Sequence, residues 1–259
     1  MMLESRPVKP ARKGVYILPN LFTAGSMFVA FIGILAAING NFNHCAIAIF
    51  GSALLDGMDG KVARLTNSAS EFGVQMDSLA DAIAFGTTPA LMVYLWQLKD
   101  LGAGRLGLAV AFLFMACGVL RLARFNVMTG TISKKYFIGL PIPAAACTVA
   151  GLVLFNNYLP RGAQEYLPWV TLGLTLALAL LMVSRVRYFS FKEFGFVKTK
   201  PLSWLVVGII LLALAITEPR IFGFTFVTGY LLSGPIYTFF FFRRKTAADA
   251  KAEREKEEI

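Results

Sequence analysis

The chain has 259 residues, of which 57% are hydrophobic, with a mean hydropathy of +0.65 and a formal net charge of +10. A soluble domain is less apolar than this, so the composition indicates a polytopic membrane protein. The basic residues follow the loops instead of gathering on one face, which argues against nucleic acid as a partner and for anionic lipid headgroups.

Residues 1–16 form a polar, basic segment without the pattern of a secretory signal. Eight apolar runs follow, at roughly 17–38, 44–63, 77–98, 104–125, 138–159, 166–184, 202–217 and 221–242. Each approaches the ~20 residues needed to cross a bilayer as a helix. The expected fold class is therefore all-α: a membrane bundle of about eight transmembrane helices over residues 17–242, with a charged tail at 243–259. The second and third runs are the least hydrophobic, because they carry aspartates. A sliding-window search is expected to pass over both and return six.

With eight spans, only Lys99, Arg105, Arg161 and Arg220 of the 25 Lys and Arg fall on one side, leaving 21 on the other. Lys and Arg favour the cytoplasmic side, so both termini are expected there, in a cell-membrane protein. Cys45, Cys117 and Cys147 lie in separate runs without metal-ligand spacing and read as core residues. His44, the single histidine, lies near the far end of the second run and reads as interfacial.

The informative stretch is LLDGMDGKVARLTNSASEFGVQMDSLADAIAFG, with Asp56, Asp59, Asp77 and Asp81 inside 26 residues. Carboxylates at membrane depth cost several kcal/mol each by most estimates and are functional by default. Asp56 and Asp59 are spaced i, i+3, and Asp77 and Asp81 i, i+4, so each pair shares a helix face. A helical hairpin turning near Asn67–Ala69 sets Asp56 level with Asp81 and Asp59 level with Asp77. Four converging carboxylates repel unless a cation offsets them, and Mg²⁺ or Ca²⁺ prefers such oxygens.

Written as a pattern, the segment is Asp56-x-x-Asp59-Gly60-x-x-Ala63-Arg64, then eight residues, Gly73, three residues, Asp77, three residues, Asp81. It resembles the signature of the CDP-alcohol phosphatidyltransferase family at every fixed position. The segments PNLFT (Pro19–Thr23), DSLADAIAFGTTPA (Asp77–Ala90), RLARFN (Arg121–Asn126) and FIGLPIPAAA (Phe137–Ala146) resemble the serine-accepting branch. Ser26 departs from that branch, which carries Asn there. The resemblance extends through most of residues 17–185.

The resemblance implies transfer of a phosphatidyl group from CDP-diacylglycerol to the hydroxyl of L-serine, giving phosphatidylserine and CMP. It implies two divalent cations, Mg²⁺ or Mn²⁺, and a homodimer. Asp56 and Asp77 would bridge both ions, Asp59 would complete one site, and Asp81 would touch the second and act as general base. Gly60 would let the cytidine approach the backbone, and Arg64, two turns beyond Asp56, would reach toward phosphate oxygens. Ala63 and Gly73 belong to the same signature. Ser70, Pro19 and Asn20 match positions that hold the nucleotide in the family.

Other readings stand beside these. Gly60 and Gly73 also suit close helix packing, and Arg64 a positive-inside anchor. Arg121 and Arg124, with Asn126 just after, are either snorkelling anchors or a cationic site for serine's carboxylate or a lipid phosphate. Pro141 and Pro143 either break a helix beside a cavity or mark its start. The same chemistry with glycerol phosphate, inositol phosphate or choline as acceptor is the nearest functional alternative. A cation-coupled transporter is the alternative from another class, but it gives no reason for Gly60, Ala63 and Arg64 at their spacing. Nothing in these residues encodes the lipid tails, the choice of metal or the selection of serine.

Overall fold

A computed structural model describes residues 17–66, 70–102, 105–128, 136–184 and 186–189, together with the isolated Gly229. The N-terminal segment 1–16, the hairpin turn at Asn67–Ala69, the last two apolar runs and the C-terminal tail lie outside the described residues. The described chain is helical. It runs through α1 (Ile17–Ile38), α2 (Phe42–Leu65), α3 (Glu71–Leu98), α4 (Leu106–Met128), α5 (Ile142–Phe155), a short α6 (Arg161–Gln164) and α7 (Leu167–Val183). A small antiparallel ribbon pairs Tyr136–Ile138 with Arg187–Phe189, so the loops after α4 and α7 satisfy part of each other's backbone.

Among the described residues three helices, Pro19–Ile38, Glu71–Leu98 and Leu106–Val127, are long and apolar enough to cross a membrane. The window reading is therefore corrected at the third run. It is not passed over, because its helix begins at Glu71 and runs 28 residues, so apolar sequence beyond the aspartates outweighs them. The fifth and sixth runs form shorter apolar helices, α5 with 14 residues and α7 with 17. The second run behaves as expected, because α2 carries Asp56, Asp59, Lys61 and Arg64.

Helices α1 and α2 form the frame, packed antiparallel along a seam of small residues. A Cβ on Gly33 would stand 3.0 Å from the Ala48 Cβ and 3.4 Å from the Thr88 methyl, so only glycine allows this approach. Further along the seam, Ser26 donates its hydroxyl to the Ser52 carbonyl at 3.1 Å, and Ser52 donates to the Ser26 carbonyl at 3.0 Å. Both serines are buried. The reciprocal pair fixes the register of the two helices and gives Ser26 a structural use where the sequence departs from the serine-accepting branch. The core spreads from this frame to Phe85, Met92, Phe114, Leu140, Ile142 and Leu178.

Helix α3 is not uniformly α-helical. It widens to π-helical turns at Ala82–Thr87 and again at Tyr94–Leu98. The first widening ends beside Pro89, which has no N–H and would crowd the preceding turn of a regular helix. Thr87 and Thr88 turn their hydroxyls back to the carbonyls of Ala82 and Ile83, at 3.2 and 2.9 Å, and so occupy acceptors that the wide turn loosens. Helix α5 starts at Ile142 with Pro141 at its N-cap, as a helix-start signal requires. Ahead of it, Gly139 has φ +81° and a Cβ there would collide with the Met182 carbonyl. The Gly139 and Leu140 amides donate to Val186 and Leu181, so the chain enters α5 with its backbone paired.

Candidate metal and substrate site

The acidic site lies at one end of the α1–α2–α3 packing. Ser70 takes an extended conformation and caps α3, its hydroxyl accepting the Gly73 amide at 3.0 Å. Such a cap is worth about 1 kcal/mol and fixes where α3 begins, and hence the level of Asp77 and Asp81. The hairpin then brings the two acidic pairs together. Oxygens of Asp56, Asp59 and Asp77 lie within 4.8 Å of one another. Asp56 is within hydrogen-bonding reach of Asp81, and Asp59 of Asp77, which are the two levels that the spacing predicts. Asp81 stands outside the close trio, beside Asp56.

The four carboxyls differ in surroundings. Asp59 is buried, whereas Asp56, Asp77 and Asp81 are half-buried. Thr23 of α1 donates its hydroxyl to Asp59 Oδ2 at 2.9 Å and also lies 3.2 Å from the Pro19 carbonyl. Asp77 Oδ1 is buried without a hydrogen-bond partner among the described residues. Sequence reasoning quotes Thr23 within PNLFT but gives it no role. The signal is present, because Thr23 follows Pro19 by one turn on the face that carries Ser26, three residues further.

The two signature glycines prove unlike. A Cβ on Gly60 would meet nothing within 4 Å, so close helix packing does not explain this position. A Cβ on Gly73 would stand 3.1 Å from Ser70 Oγ and 3.3 Å from Asn20 Oδ1, so here space is short. Asn20, Ser70 and Gly73 therefore share one small polar volume next to the carboxylates. Ala63 and Arg64 lie on the last turns of α2, and their side chains lie outside the described residues.

The residues of α4 sit at the margin. Asn126 donates to Ser78 Oγ at 2.9 Å and so ties α4 to the turn between Asp77 and Asp81. Arg124 reaches the Val183 carbonyl at 3.4 Å, an acceptor left over at the end of α7. The Arg121 Nε is buried. No described contact joins Arg121 or Arg124 to the four aspartates. His44 is exposed at the opposite end of α2, and the three cysteines are free thiols.

The family model for CDP-alcohol phosphatidyltransferases matches residues 16–181, well over half of the chain. The chain belongs to the CDP-alcohol phosphatidyltransferase family. Within it, the chain is 41% identical over 232 residues to a CDP-diacylglycerol–serine O-phosphatidyltransferase of Helicobacter pylori, covering 89% of this chain and 92% of that protein. A Mycobacterium tuberculosis protein of the same name is 32% identical over 239 residues, covering 86% of this chain and 79% of its own. The archaetidylserine synthase of Methanothermobacter thermautotrophicus is 35% identical over 173 residues, covering 66% of this chain and 69% of its own. The matched region of the phosphatidyltransferase holds the whole acidic signature, with α1 to α6 and most of α7. An integral membrane protein with such a site carries its polar chemistry at one end of an apolar bundle.

Proposed function

We propose that the chain transfers the phosphatidyl group of CDP-diacylglycerol to the hydroxyl of L-serine, giving phosphatidylserine and CMP. The observation that carries this reading is the trio of carboxylates whose oxygens lie within 4.8 Å of one another across two helices. It sits on the signature of a family whose serine-transferring members match most of the chain. The donor set fits a divalent metal: all the ligands are hard oxygens, and the partnerless Asp77 Oδ1 is an acceptor that a cation would satisfy. Asp56 and Asp77 would bridge two ions, Mg²⁺ or Mn²⁺, with Asp59 on one and Asp81 on the other. Ions held there would stabilise the attacking and leaving oxygens of an in-line displacement.

The chain's own residues have separable tasks. Asp81, set apart from the trio, takes the proton of the serine hydroxyl as its oxygen bonds to the lipid-linked phosphorus. The bond from that phosphorus to the CMP oxygen breaks, and its electron pair leaves with CMP. Transfer is direct, because no separate nucleophile accompanies the carboxylates. Gly60 leaves room for the cytidine against the backbone of α2. Pro19, Asn20 and Ser70 line the neighbouring polar volume, and Arg64 is the cation offered to the diphosphate. Arg121 and Arg124 are assigned to the acceptor or to a lipid phosphate. The site faces the cytoplasm, both termini lie on that side of the cell membrane, and the enzyme is a homodimer.

Release of CMP from CDP-diacylglycerol by the purified chain, with serine compared against glycerol phosphate, inositol phosphate and choline, tests this directly. Serine alone should support release, EDTA should abolish it, and Mg²⁺ or Mn²⁺ should restore it. Release with a phosphorylated acceptor but not with serine would overturn the acceptor assignment. Full activity without metal would overturn the two-ion reading.

A further inference from the structure

The buried carboxylate of the trio has a partner on a helix that contributes no aspartate. We propose that Thr23 is a positioning residue for Asp59, fixing the orientation in which that carboxylate is presented to a divalent cation. The inference rests on the reading of the aspartates as metal ligands.

Thr23 and Asp59 are 4% and 6% exposed, so water does not compete for their contact. The hydroxyl lies 2.9 Å from Asp59 Oδ2, inside the usual range for this bond. A hydroxyl has one proton, and two acceptors face it here, the second being the Pro19 carbonyl at 3.2 Å. A carboxylate is the stronger acceptor, so the proton goes to Asp59 whenever that group carries its charge. The bond fixes the orientation of the carboxylate and leaves lone pairs on it for the trio. Threonine is suited to this because its branched Cβ restricts χ1, so the hydroxyl costs little entropy to hold in place.

The position of Thr23 is itself set from a distance. Ser26 lies three residues along α1, and Ser52 lies seven residues before Asp59 on α2. Their reciprocal bonds pin the two helices about one turn from the Thr23–Asp59 contact along α1 and about two turns from it along α2. A shift of register there would carry the hydroxyl away from the carboxylate. Metal ligands held by such an outer partner typically lose about 10–100-fold in metal affinity when the partner is removed.

Mn²⁺ binding to the full chain in detergent, followed by electron paramagnetic resonance, tests the inference apart from turnover. Thr23→Val keeps shape and removes the hydroxyl. It should weaken Mn²⁺ binding by about 10–100-fold, while Thr23→Ser should restore it to within a few-fold. Leu178→Ala, in the core on α7, serves as a packing control that lowers the unfolding temperature without a comparable change in Mn²⁺ affinity. If Thr23→Val is too unstable to purify, Thr23→Ala and Thr23→Ser are compared in the same way. Wild-type affinity in Thr23→Val or Thr23→Ala would overturn the positioning role and leave the metal reading standing. An equal loss in Thr23→Ser and Thr23→Val would overturn it too, since the hydroxyl would then not be what matters. Absence of Mn²⁺ binding in the wild type would overturn the metal reading itself.

Discussion

The seam between α1 and α2 has two ends built on opposite rules. At one end Gly33 meets Ala48 and Thr88 at contact distance, and Ser26 and Ser52 satisfy each other completely. At the other end Asp77 keeps a buried oxygen without a partner, Gly60 faces open space, and three carboxylates crowd within 4.8 Å. The tight end is finished by the chain alone. At the acidic end polar groups are crowded together instead, and the difference separates the residues that hold the fold from those that the proposed reaction uses.

Substitutions should therefore behave differently at the two ends. The largest effect is expected from Asp56→Asn, Asp59→Asn or Asp77→Asn, each of which keeps shape and removes a charge. Transfer measured by CMP release should fall by several orders of magnitude, while the unfolding temperature holds or rises, because repulsion within the trio is relieved. A fall in unfolding temperature as large as that of a core variant would erase the contrast. Next in size, Asp81→Asn should slow transfer by about 10²–10⁴-fold. CDP-diacylglycerol should still shift the melting curve of this variant, since the other three aspartates remain.

At the tight end the order of effects reverses. Gly33→Val forces a side chain against Ala48 and should cost about 1–3 kcal/mol, the usual penalty of overpacking. It should be read as a lower unfolding temperature. The smallest effect sharpens the comparison most. Gly60→Ala meets nothing and should leave stability unaltered while raising the apparent KM for the CDP-lipid. Gly73→Ala presses on Ser70 and Asn20 and should lower stability slightly as well. Identical behaviour of the two glycine variants would show that the acidic end is not open where Gly60 lies.

Much of the acidic end is legible in the sequence because it depends on local periodicity. The i, i+3 and i, i+4 spacings put each pair of aspartates on one face, and a hairpin of fixed length sets their levels. Thr23 is another matter. Its partner lies 36 residues away, and the contact depends on the register of α1 against α2. That register is set by Ser26, Ser52, Gly33 and Ala48, small residues that look alike in one sequence whether they face a helix or lipid. The short α5 was also hidden, because the apolar run continues past the point where backbone pairing and Pro141 allow a helix. The start of α3 at Glu71 falls just after the turn expected near Asn67–Ala69, and the Ser70 cap sets it there. The wide turns of α3 had only one hint, two threonines followed by a proline.

Those wide turns have a consequence for how the chain can change its length. In a regular helix, gaining or losing one residue rotates everything beyond it by about 100° and would turn the aspartates away from one another. A π-helical turn already carries an additional residue for nearly the same rotation. Between Ala82 and Thr87 a residue can be lost by tightening the turn, with Asp81 on one side and Met92 on the other keeping their facing. The segment just past the last aspartate is thus slack in the helix, as is the second wide turn at Tyr94–Leu98.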